Sequence, residues 1–277
     1  MNNAFYFIKC ITNLHMGSGD INFNIIDNEV QRDPITNYPT MFSSGVKGAL
    51  REHFENCTKE IVTSIFGSDV KNSNEGEKEK STPGNLKFMT GNLLYLPIRA
   101  AIGSMSYYLV TSKDILRQFG EMYKTITGDE VEKDFIEEVN KLDDKKAYAV
   151  IKENIKIEYN DYCEPEVIAE QILNVLKRAT GADFEKLLII PDEDLRHINL
   201  PVLARNQLDN GISQNLWYEE VVPHEAVFYF SVLSNGTEMG DTALENFKEV
   251  IGNADKTLVQ FGGNATVGYG LTKLIEF

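Results

Sequence analysis

Short runs of apolar residues recur along the chain, and most of them predict strands. Residues 4–12 (AFYFIKCIT) and 227–233 (VFYFSVL) combine aromatic and β-branched side chains, which is typical of buried strands. Further strands are expected at residues 86–96, where Pro97 marks the end, and at residues 155–162, 186–190 and 271–277. Residues 200–207 and 216–222 flank a polar stretch, residues 208–215, and predict a hairpin.

Apolar residues at helical spacing predict a second set of elements. Val46, Leu50 and Phe54 recur every four residues and indicate an amphipathic helix. Ser43 and Ser44 precede this pattern, and either serine can cap the helix. Further helices are expected at residues 112–142, 166–178 and 243–251. The order of strands and helices near the two ends suits a βαββαβ, ferredoxin-like arrangement with large insertions.

Glycine-rich segments lie near both ends of the chain and are the first candidates for chemistry. Residues 14–19 read LHMGSG and residues 262–270 read GGNATVGYG. Neither has the Gly-Lys-Ser/Thr ending of a phosphate loop, and neither is a dinucleotide fingerprint between a strand and a helix. Because glycine lets backbone amides approach a phosphate closely, the two loops would clamp one polyanion if the fold brings them together. The alternative is a pair of tight turns.

Charge is distributed unevenly along the chain. Lys and Arg number 27 against 42 Asp and Glu, which gives a net charge of −15 and argues against a free-standing nucleic-acid binder. Residues 129–194 hold 19 acids and 9 bases, a net of −10, whereas residues 1–51 hold four of each sign. The acidity therefore lies mostly in the middle of the sequence, and a phosphate-facing surface near the ends remains compatible with the composition.

Length and cysteine content limit the remaining classes. A chain of 277 residues with 42% hydrophobic content forms one large domain or two closely packed ones. Cys10, Cys57 and Cys163 show no zinc-binding spacing, so we expect neither a disulfide framework nor structural zinc. No secretory leader and no long apolar stretch are visible, so we expect a soluble, cytoplasmic protein without a membrane partner. The lack of a cofactor fingerprint disfavours an unrelated small-molecule enzyme.

Six segments together resemble one family, the backbone RAMP subunit of the Cmr complex, which is the type III-B CRISPR effector. They occur in the family's order at residues 14–19, 26–33, 43–51, 96–99, 216–220 and 262–270. The resemblance implies one α+β domain over residues 1–277, with a ferredoxin-like (RRM-like) core and large insertions. The core would comprise mainly residues 1–66, 85–112 and 223–277, with a disordered loop at about 67–84, a helical insertion at about 112–180 and a protruding β-hairpin thumb at about 200–222.

The same resemblance implies a function. Copies of the chain would stack along a CRISPR RNA as a helical filament, together with other Cmr subunits, and would cleave complementary single-stranded target RNA at regular intervals. The thumb would wedge between guide and target bases. Asp27, in the segment IDNEVQRD, would support cleavage with weakly bound Mg²⁺ or Mn²⁺. An aspartate with a reference pKa of about 3.9 is a poor base at neutral pH, which favours the metal-assisted role.

Two alternatives stay open within the superfamily. One is a non-catalytic RNA-binding scaffold. The other is a metal-independent endoribonuclease that processes CRISPR RNA, with His15 as its acid or base. The hypothesis of target cleavage at Asp27 involves attack by the RNA 2′-hydroxyl and predicts 2′,3′-cyclic phosphate products. Products with only 3′-hydroxyl ends would contradict that hypothesis.

The candidate site residues follow from these segments. The catalytic candidates are Asp27, which is also the metal ligand, and His15, and Asp20 and Glu29 are alternates for Asp27. The RNA-binding candidates are Gly17, Ser18, Gly19, Ser43, Ser44, Lys47, Arg51, Arg99, Gly262, Gly263, Asn264, Gly268 and Gly270, and the thumb candidates are Trp217, Tyr218 and Glu219. Tyr269 stands where many family members carry a basic residue, and its ring could stack on a base instead.

Overall fold

The computed structural model describes residues 2–19, 25–68, 81–158, 160–180, 184–252 and 257–277. Its strands are β1 (Asn3–Cys10), β2 (Thr40–Met41), β3 (Leu86–Phe88), β4 (Gly91–Ile102), β5 (Tyr107–Ser112), β6 (Tyr148–Ala149), β7 (Ile155–Ile157), β8 (Asn160–Tyr162), β9 (Glu166–Val167), β10 (Leu187–Ile190), β11 (Val202–Asp209), β12 (Ile212–Glu220), β13 (Val227–Ser234), β14 (Leu258–Gln260) and β15 (Leu271–Glu276). Its helices are α1 (Ser43–His53), α2 (Lys59–Phe66), α3 (Lys113–Thr127), α4 (Phe135–Lys141), α5 (Glu170–Thr180), α6 (Asp192–Arg196) and α7 (Glu238–Gly252). The disordered loop expected at 67–84 lies mostly outside the described residues.

A large mixed sheet forms the centre of the molecule. Its strands follow the order β14-β15-β1-β13-β4-β5-β10-β6-β9. Strand β1 runs antiparallel to both β13 and β15, so the first and last strands of the chain are hydrogen-bonded neighbours. The expected mixture of helices and strands is confirmed, and the sheet register brings the two ends of the sequence together.

Strand β1 is covered by helices on both faces. The ring of Tyr6 lies 5.8 Å from that of Phe247 in α7, whereas Phe5 lies 6.1 Å from Phe119 in α3. Successive side chains of a strand point to opposite faces, so α7 and α3 cover opposite sides of the sheet. This double burial is the physical reason for the nearly continuous apolar run at the start of the chain. Any functional surface near β1 must therefore lie at the ends of the strands.

Strand β4 does not end at Pro97, contrary to the sequence prediction. Pairing with β5 continues through Pro97↔Leu109 to Arg99↔Tyr107. The backbone N–H of Ala100 donates to Ser106, so alternation turns the nitrogen of Pro97 away from β5. On that other side, pairing with β13 has already ended at Tyr95. The proline therefore removes no hydrogen bond from the ladder and is tolerated within the strand.

The insertion at 112–180 contains strands as well as helices, whereas the sequence analysis predicts a helical insertion. Helices α3 and α4 are separated near Gly128, which has the left-handed conformation typical of a helix C-cap. Strands β6 to β9 follow within the same insertion, and residues 155–162 form a small hairpin of β7 and β8 instead of one strand. The predicted helix at 166–178 begins later, because Glu166 and Val167 pair with β6 before α5 starts.

The hairpin of β11 and β12 forms its own two-stranded sheet outside the central one. Its strands extend further than predicted and leave only Asn210 and Gly211 in the turn. Both residues have positive φ angles, 49° and 81°, which suits a type I′ turn. Most side chains towards the tip are exposed, whereas the root is packed against other segments. The hairpin therefore projects from the body of the protein and is fixed at its root.

None of the helices in the described residues combines the length and the apolar character that crossing a bilayer requires.

Candidate functional site

The two glycine-rich segments meet beside the root of the hairpin. The backbone N–H of Gly263 donates to the carbonyl of His15 at 2.9 Å, and that of Gly270 donates to Asn13 at 2.8 Å. Strands β1 and β15 are neighbours, so the loops that follow β1 and precede β15 lie at the same end of the sheet. The two segments therefore form one surface, as the clamp hypothesis requires.

Two of the candidate glycines are required by packing. Gly262 has a φ of 69°, and a Cβ there would lie 2.3 Å from the carbonyl oxygen of His15. Gly270 has a φ of 76°, and a Cβ there would lie 1.9 Å from the oxygen of Phe261. A side chain would collide with backbone at both positions and would hold a strained conformation. These two glycines allow the terminal segments to cross.

The other candidate glycines are less confined. A Cβ at Gly19, Gly263 or Gly268 would meet nothing within 4 Å, and one at Gly17 would make an ordinary contact with His15 Nε2 at 3.4 Å. Backbone at such open positions can be approached by a ligand. The glycine-rich surface therefore has a packed interior and an open outer part.

Asp27 lies at the root of the hairpin and is exposed. Its Oδ2 accepts a hydrogen bond from the backbone N–H of Tyr218 at 2.8 Å, and its own backbone N–H donates to the carbonyl of Tyr218 at 3.0 Å. Its Oδ1 makes no hydrogen bond to a described residue. The structure thus fixes one carboxylate oxygen on β12 and leaves the other facing outwards. Asp20 lies outside the described residues, and Glu29 is partly buried.

Glu219 is buried and receives side chains from three separate segments. Its Oε1 accepts from Asn264 Nδ2 at 2.6 Å, and its Oε2 accepts from Arg205 Nη1 at 3.1 Å. His15 Nε2 lies 3.8 Å from Oε1. The carboxylate is only 3% exposed, and such a buried charge requires partners. Glu219 therefore connects the hairpin to both glycine-rich segments.

Glu220 points to the opposite side of β12 and holds the segment that carries Asp27. Its carboxylate pairs with Arg32 and also accepts the backbone N–H of Val30 at 3.1 Å. Its backbone N–H donates to the carbonyl of Asn28 at 2.9 Å. Alternation along the strand places these two adjacent glutamates on different faces, so each serves a different neighbour.

The turn after Arg32 keeps this arginine in place. The Oδ1 of Asp33 accepts hydrogen bonds from the backbone N–H groups of Ile35 and Thr36 and from the Thr36 hydroxyl. Burial alone would raise the pKa of Asp33, but these hydrogen bonds together lower it below its usual value. Asp33 therefore remains charged and stabilises the turn, and Arg32 donates to the carbonyl of Asn37 across it.

His15 is buried, with 8% exposure, and its ring is fixed by the hairpin root. Its Nδ1 lies 2.8 Å from the carbonyl oxygen of Glu220, 205 residues away in sequence. A carbonyl can only accept, so Nδ1 carries the proton in this contact. The imidazole thus faces protein groups on both sides: Glu220 at Nδ1 and Glu219 at Nε2.

The start of α1 corrects one prediction. Neither Ser43 nor Ser44 caps the helix; the N-cap residue is Phe42, and no side chain accepts a capping bond there. Both serines lie in the exposed first turn, where their backbone N–H groups face outwards from the helix end. Lys47 lies one turn further and is partly exposed. Arg51 instead donates to the carbonyl of Gly67 at 2.9 Å and so contributes to the packing of α1 against the chain after α2.

The remaining candidates lie around the hairpin. Trp217 is half-buried on β12 and does not belong to the core. The guanidinium of Arg205 lies 6.0 Å from the ring centre of Trp217 and 5.1 Å from that of Tyr269. Arg99 is exposed near the end of β4 and lines an open cleft together with Leu200 and Pro201, at the entry to the hairpin. Ser18 lies in the first glycine-rich segment, and its backbone N–H donates to the carbonyl of Glu29 at 3.0 Å.

Asp27 is the exposed carboxylate that could bind a divalent metal at this site, because those of Glu219 and Glu220 are buried. No group of three His, Cys, Asp or Glu side chains gathers in the described part of the chain in a way that would hold a metal ion. The outward oxygen of Asp27 fits a cation that takes one protein ligand and completes its shell with water and phosphate. It does not fit a tightly held, protein-enclosed ion.

Sequence reasoning missed three residues of this site. Arg32 and Arg205 are not among the predicted site residues, and the sequence suggests for Glu220 only a weak catalytic contribution and not its contacts with Arg32 and Val30. A pair of adjacent glutamates at the end of an alternating strand was the available signal, because one of them had to point towards the body of the protein. The arginines carried no such signal, since their partners lie on other segments.

Comparison with known proteins gives consistent matches along the chain. The model of the RAMP superfamily matches residues 7–273. The chain is 27% identical over 288 residues to the CRISPR system Cmr endoribonuclease Cmr4 of Pyrococcus furiosus, covering 95% of this chain and 92% of that protein. It is 25% identical over 312 residues to the CRISPR system CMR subunit Cmr4 of Saccharolobus solfataricus, covering 97% and 94%.

Solved structures share the fold. A chain of the type III-B Cmr-beta complex bound to cognate target RNA superposes with a TM-score of 0.76 at 19% identity, covering 100% of this chain and 97% of that one. A crystal structure of Cmr4 gives a TM-score of 0.69 at 22% identity, covering 100% and 99%.

Proposed function

Since this chain belongs to the RAMP superfamily over residues 7–273, we propose that it is a backbone subunit of a type III-B Cmr effector complex. In that complex it would bind a guide CRISPR RNA and cleave complementary single-stranded RNA at regular intervals, as part of antiviral defence in the cytoplasm. The observation that carries the proposal is the position of Asp27, an exposed carboxylate fixed at the root of a projecting hairpin.

The strand order supports a ferredoxin-like core for this subunit. Strands β15, β1, β13 and β4 are consecutive in the sheet, with α1 and α2 between β1 and β4 and α7 between β13 and β15. This order is consistent with the βαββαβ connectivity expected from the sequence. Because β1 is covered on both faces, RNA would bind at the strand ends instead of on the sheet face.

The guide RNA would lie on the open part of the glycine-rich surface. The backbone at Gly19, the first turn of α1 and the ammonium of Lys47 would provide donors for phosphate. Gly263 and Gly268 would allow the RNA to approach closely, because a Cβ there would meet nothing, although their own N–H groups already donate to His15 and Ala265. Arg99 extends this set towards the hairpin. Sequence selection would come from guide–target pairing, and the protein would contact mainly the backbone.

The hairpin would separate the target strand from regular pairing beside Asp27. In a splayed nucleotide the 2′-oxygen can line up with the adjacent phosphorus and the leaving 5′-oxygen. Attack forms the 2′-oxygen–phosphorus bond and breaks the bond to the 5′-oxygen. The 2′-hydroxyl proton passes to solvent water and the leaving 5′-oxygen takes a proton from water, which leaves a 2′,3′-cyclic phosphate and a 5′-hydroxyl. Asp27 would hold its outward oxygen at this position because Tyr218 fixes the other one.

A weakly bound Mg²⁺ or Mn²⁺ would be held by Asp27 and by RNA phosphate. When bound, such an ion withdraws charge from a scissile phosphate and increases the acidity of the attacking hydroxyl. The alternative of metal-independent processing of CRISPR RNA, with His15 as acid or base, is less well supported than cleavage at Asp27. The His15 ring is buried between Glu219 and Glu220, whereas Asp27 is exposed. We propose that His15 orients the root of the hairpin.

Other copies of the chain and other Cmr subunits are the proposed partners. Relatives of the chain are named as Cmr subunits, and one similar structure is an oligomeric Cmr4 from Pyrococcus furiosus. Because the chain carries a net charge of −15, other Cmr subunits would have to contribute part of the positive charge that a surface for RNA requires.

The test is guided cleavage by the assembled complex. Wild-type protein, companion subunits and a CRISPR guide are combined with labelled complementary RNA in Mg²⁺, and Asp27→Asn is compared with Asp114→Asn, an exposed carboxylate on α3. We expect evenly spaced cuts with cyclic phosphate ends, lost in Asp27→Asn but kept in Asp114→Asn, with target binding unchanged. Chelation by EDTA should stop cleavage. Normal binding without cuts by the wild type would leave a non-catalytic scaffold.

A further inference from the structure

We propose that Glu219 is a positioning residue whose buried carboxylate locks the hairpin to both glycine-rich segments and so determines which phosphate reaches the cleavage site. The part of this inference that concerns RNA rests on the proposed function. The lock itself follows from the contacts of the carboxylate and is testable without RNA.

The first observation is that one carboxylate joins three segments that are distant in sequence. Arg205 belongs to the outgoing strand of the hairpin, Asn264 belongs to the closing glycine-rich segment, and His15 lies in the first one. Glu219 receives the first two at 3.1 Å and 2.6 Å and has His15 at 3.8 Å. Oε2 therefore bonds within the hairpin, and Oε1 faces both glycine-rich segments.

The second observation is that these contacts are shielded from water. The side chain of Glu219 is 4% exposed and that of Arg205 is 23% exposed. An ion pair at such a position is weakened less by salt than a surface pair, and removing one partner leaves the other charge poorly compensated. The ion pair between Glu219 and Arg205 should therefore depend on both side chains and only weakly on salt concentration.

The third observation is that Glu219 makes the side-chain hydrogen bond from the hairpin to the closing glycine-rich segment, whereas Tyr218 and Glu220 hold the hairpin to the segment that carries Asp27. The hairpin forms a sheet of its own, and isolated two-stranded hairpins are marginally stable in water, so it depends on such contacts at its root. Arg205 lies between the rings of Trp217 and Tyr269, so the ion pair also aligns an aromatic residue of the hairpin with one of the closing segment. Loss of Glu219 would free the hairpin to move relative to the closing glycine-rich segment, while its hydrogen bonds to Asp27 remain.

The test uses Trp217, the only tryptophan of the chain, as a built-in reporter. In Glu219→Gln an amide nitrogen faces either Arg205 or Asn264, and both of these groups are donors. We expect red-shifted Trp217 emission and stronger quenching by acrylamide. The control is Glu225→Gln, which breaks the more exposed Lys9 ion pair outside the site and should leave emission unchanged.

Two further variants separate a local lock from general damage. Asn264→Ala removes one partner and should shift the emission in the same direction but less. Asn264→Ala combined with Glu219→Gln should change the emission no more than Glu219→Gln alone, because the Asn264 side chain reaches the hairpin through Glu219. Thermal unfolding identifies any variant that does not fold, and Asn264→Ala then decides the question.

In the assembled complex, the readout is the position of the cuts. Glu219→Gln should bind target normally and spread its cuts over neighbouring phosphates, whereas a merely structural loss would lower all cuts in proportion. Unchanged Trp217 emission and unchanged cut positions in folded Glu219→Gln would overturn the inference, and so would an equal effect of Glu225→Gln. If the wild type does not cut at all, the proposed function fails, while the Trp217 measurements still decide whether the lock exists.

Discussion

Asp27 and Tyr218, 191 residues apart in sequence, exchange two hydrogen bonds at the root of the hairpin. The backbone N–H of Asp27 donates to the carbonyl of Tyr218, and the N–H of Tyr218 donates to the carboxylate of Asp27. The candidate catalytic group and the projecting hairpin are thereby fixed to each other directly. A movement of the hairpin would therefore displace the Asp27 carboxylate, and loss of the carboxylate would loosen the root of the hairpin.

The first prediction separates the charge of Asp27 from its structural contact. Asp27→Asn keeps an oxygen that accepts from Tyr218, whereas Asp27→Ala removes it. Both variants should lose cleavage, but only Asp27→Ala should lose up to about 1 kcal/mol of unfolding free energy, the usual worth of one hydrogen bond. Denaturant unfolding measures this difference.

Hydrogen exchange provides the control for this prediction. The Tyr218 amide should exchange faster in Asp27→Ala and stay protected in Asp27→Asn. Equal exchange in both variants would show that the carboxylate does not hold the hairpin.

The second prediction concerns the crossing of the terminal segments. Gly262→Ala places a Cβ against the His15 carbonyl in a left-handed backbone conformation, which costs about 1–3 kcal/mol from the conformation alone. Gly263→Ala is the matched control, because its Cβ meets nothing within 4 Å and its φ is not positive. Thermal unfolding should show a clear loss for Gly262→Ala and little change for its neighbour. Similar losses for both would contradict the close approach.

The third prediction distinguishes two basic residues on α1. Lys47 is free to contact phosphate, so Lys47→Ala should weaken RNA binding for all sequences and lower the salt slope by about one unit, while unfolding changes by less than about 0.5 kcal/mol. Arg51 donates to the carbonyl of Gly67, so Arg51→Ala should cost about 1 kcal/mol of stability. Binding titrations of the assembled complex at several salt concentrations, together with unfolding curves, check both. A loss of stability in Lys47→Ala together with a loss of RNA binding in Arg51→Ala would contradict this assignment.

The fourth prediction follows from cysteine environments. Burial, assisted by the charge of Glu225, raises the pKa of Cys10 to about 12. Below that pH its thiol stays protonated and enclosed, so iodoacetamide at pH 8 should label exposed Cys163 readily, Cys57 more slowly and Cys10 only after unfolding. Mass spectrometry of native and denatured samples measures the labelling. Rapid native labelling of Cys10 would show that the end of β1 opens.

Local sequence patterns were sufficient for elements whose residues interact with their chain neighbours. The apolar runs located β1 and β13, and the four-residue spacing of Val46, Leu50 and Phe54 located α1. The same patterns failed where a distant segment decided the outcome. Strand β4 passes through Pro97 because no partner strand needs its nitrogen there, and β9 replaces the first turn of a predicted helix because β6 pairs with it.

The sequence by itself determined the composition of the site: two glycine-rich segments, an aspartate and a hairpin, in a fixed order. Only the tertiary structure decided how these parts meet. The partners of Glu219 come from positions 15, 205 and 264, and the partner of Asp27 comes from position 218. Hydrogen bonds depend on distances of a few tenths of an ångström, and those distances are set by strand register and chain path, which spacing in the sequence does not specify.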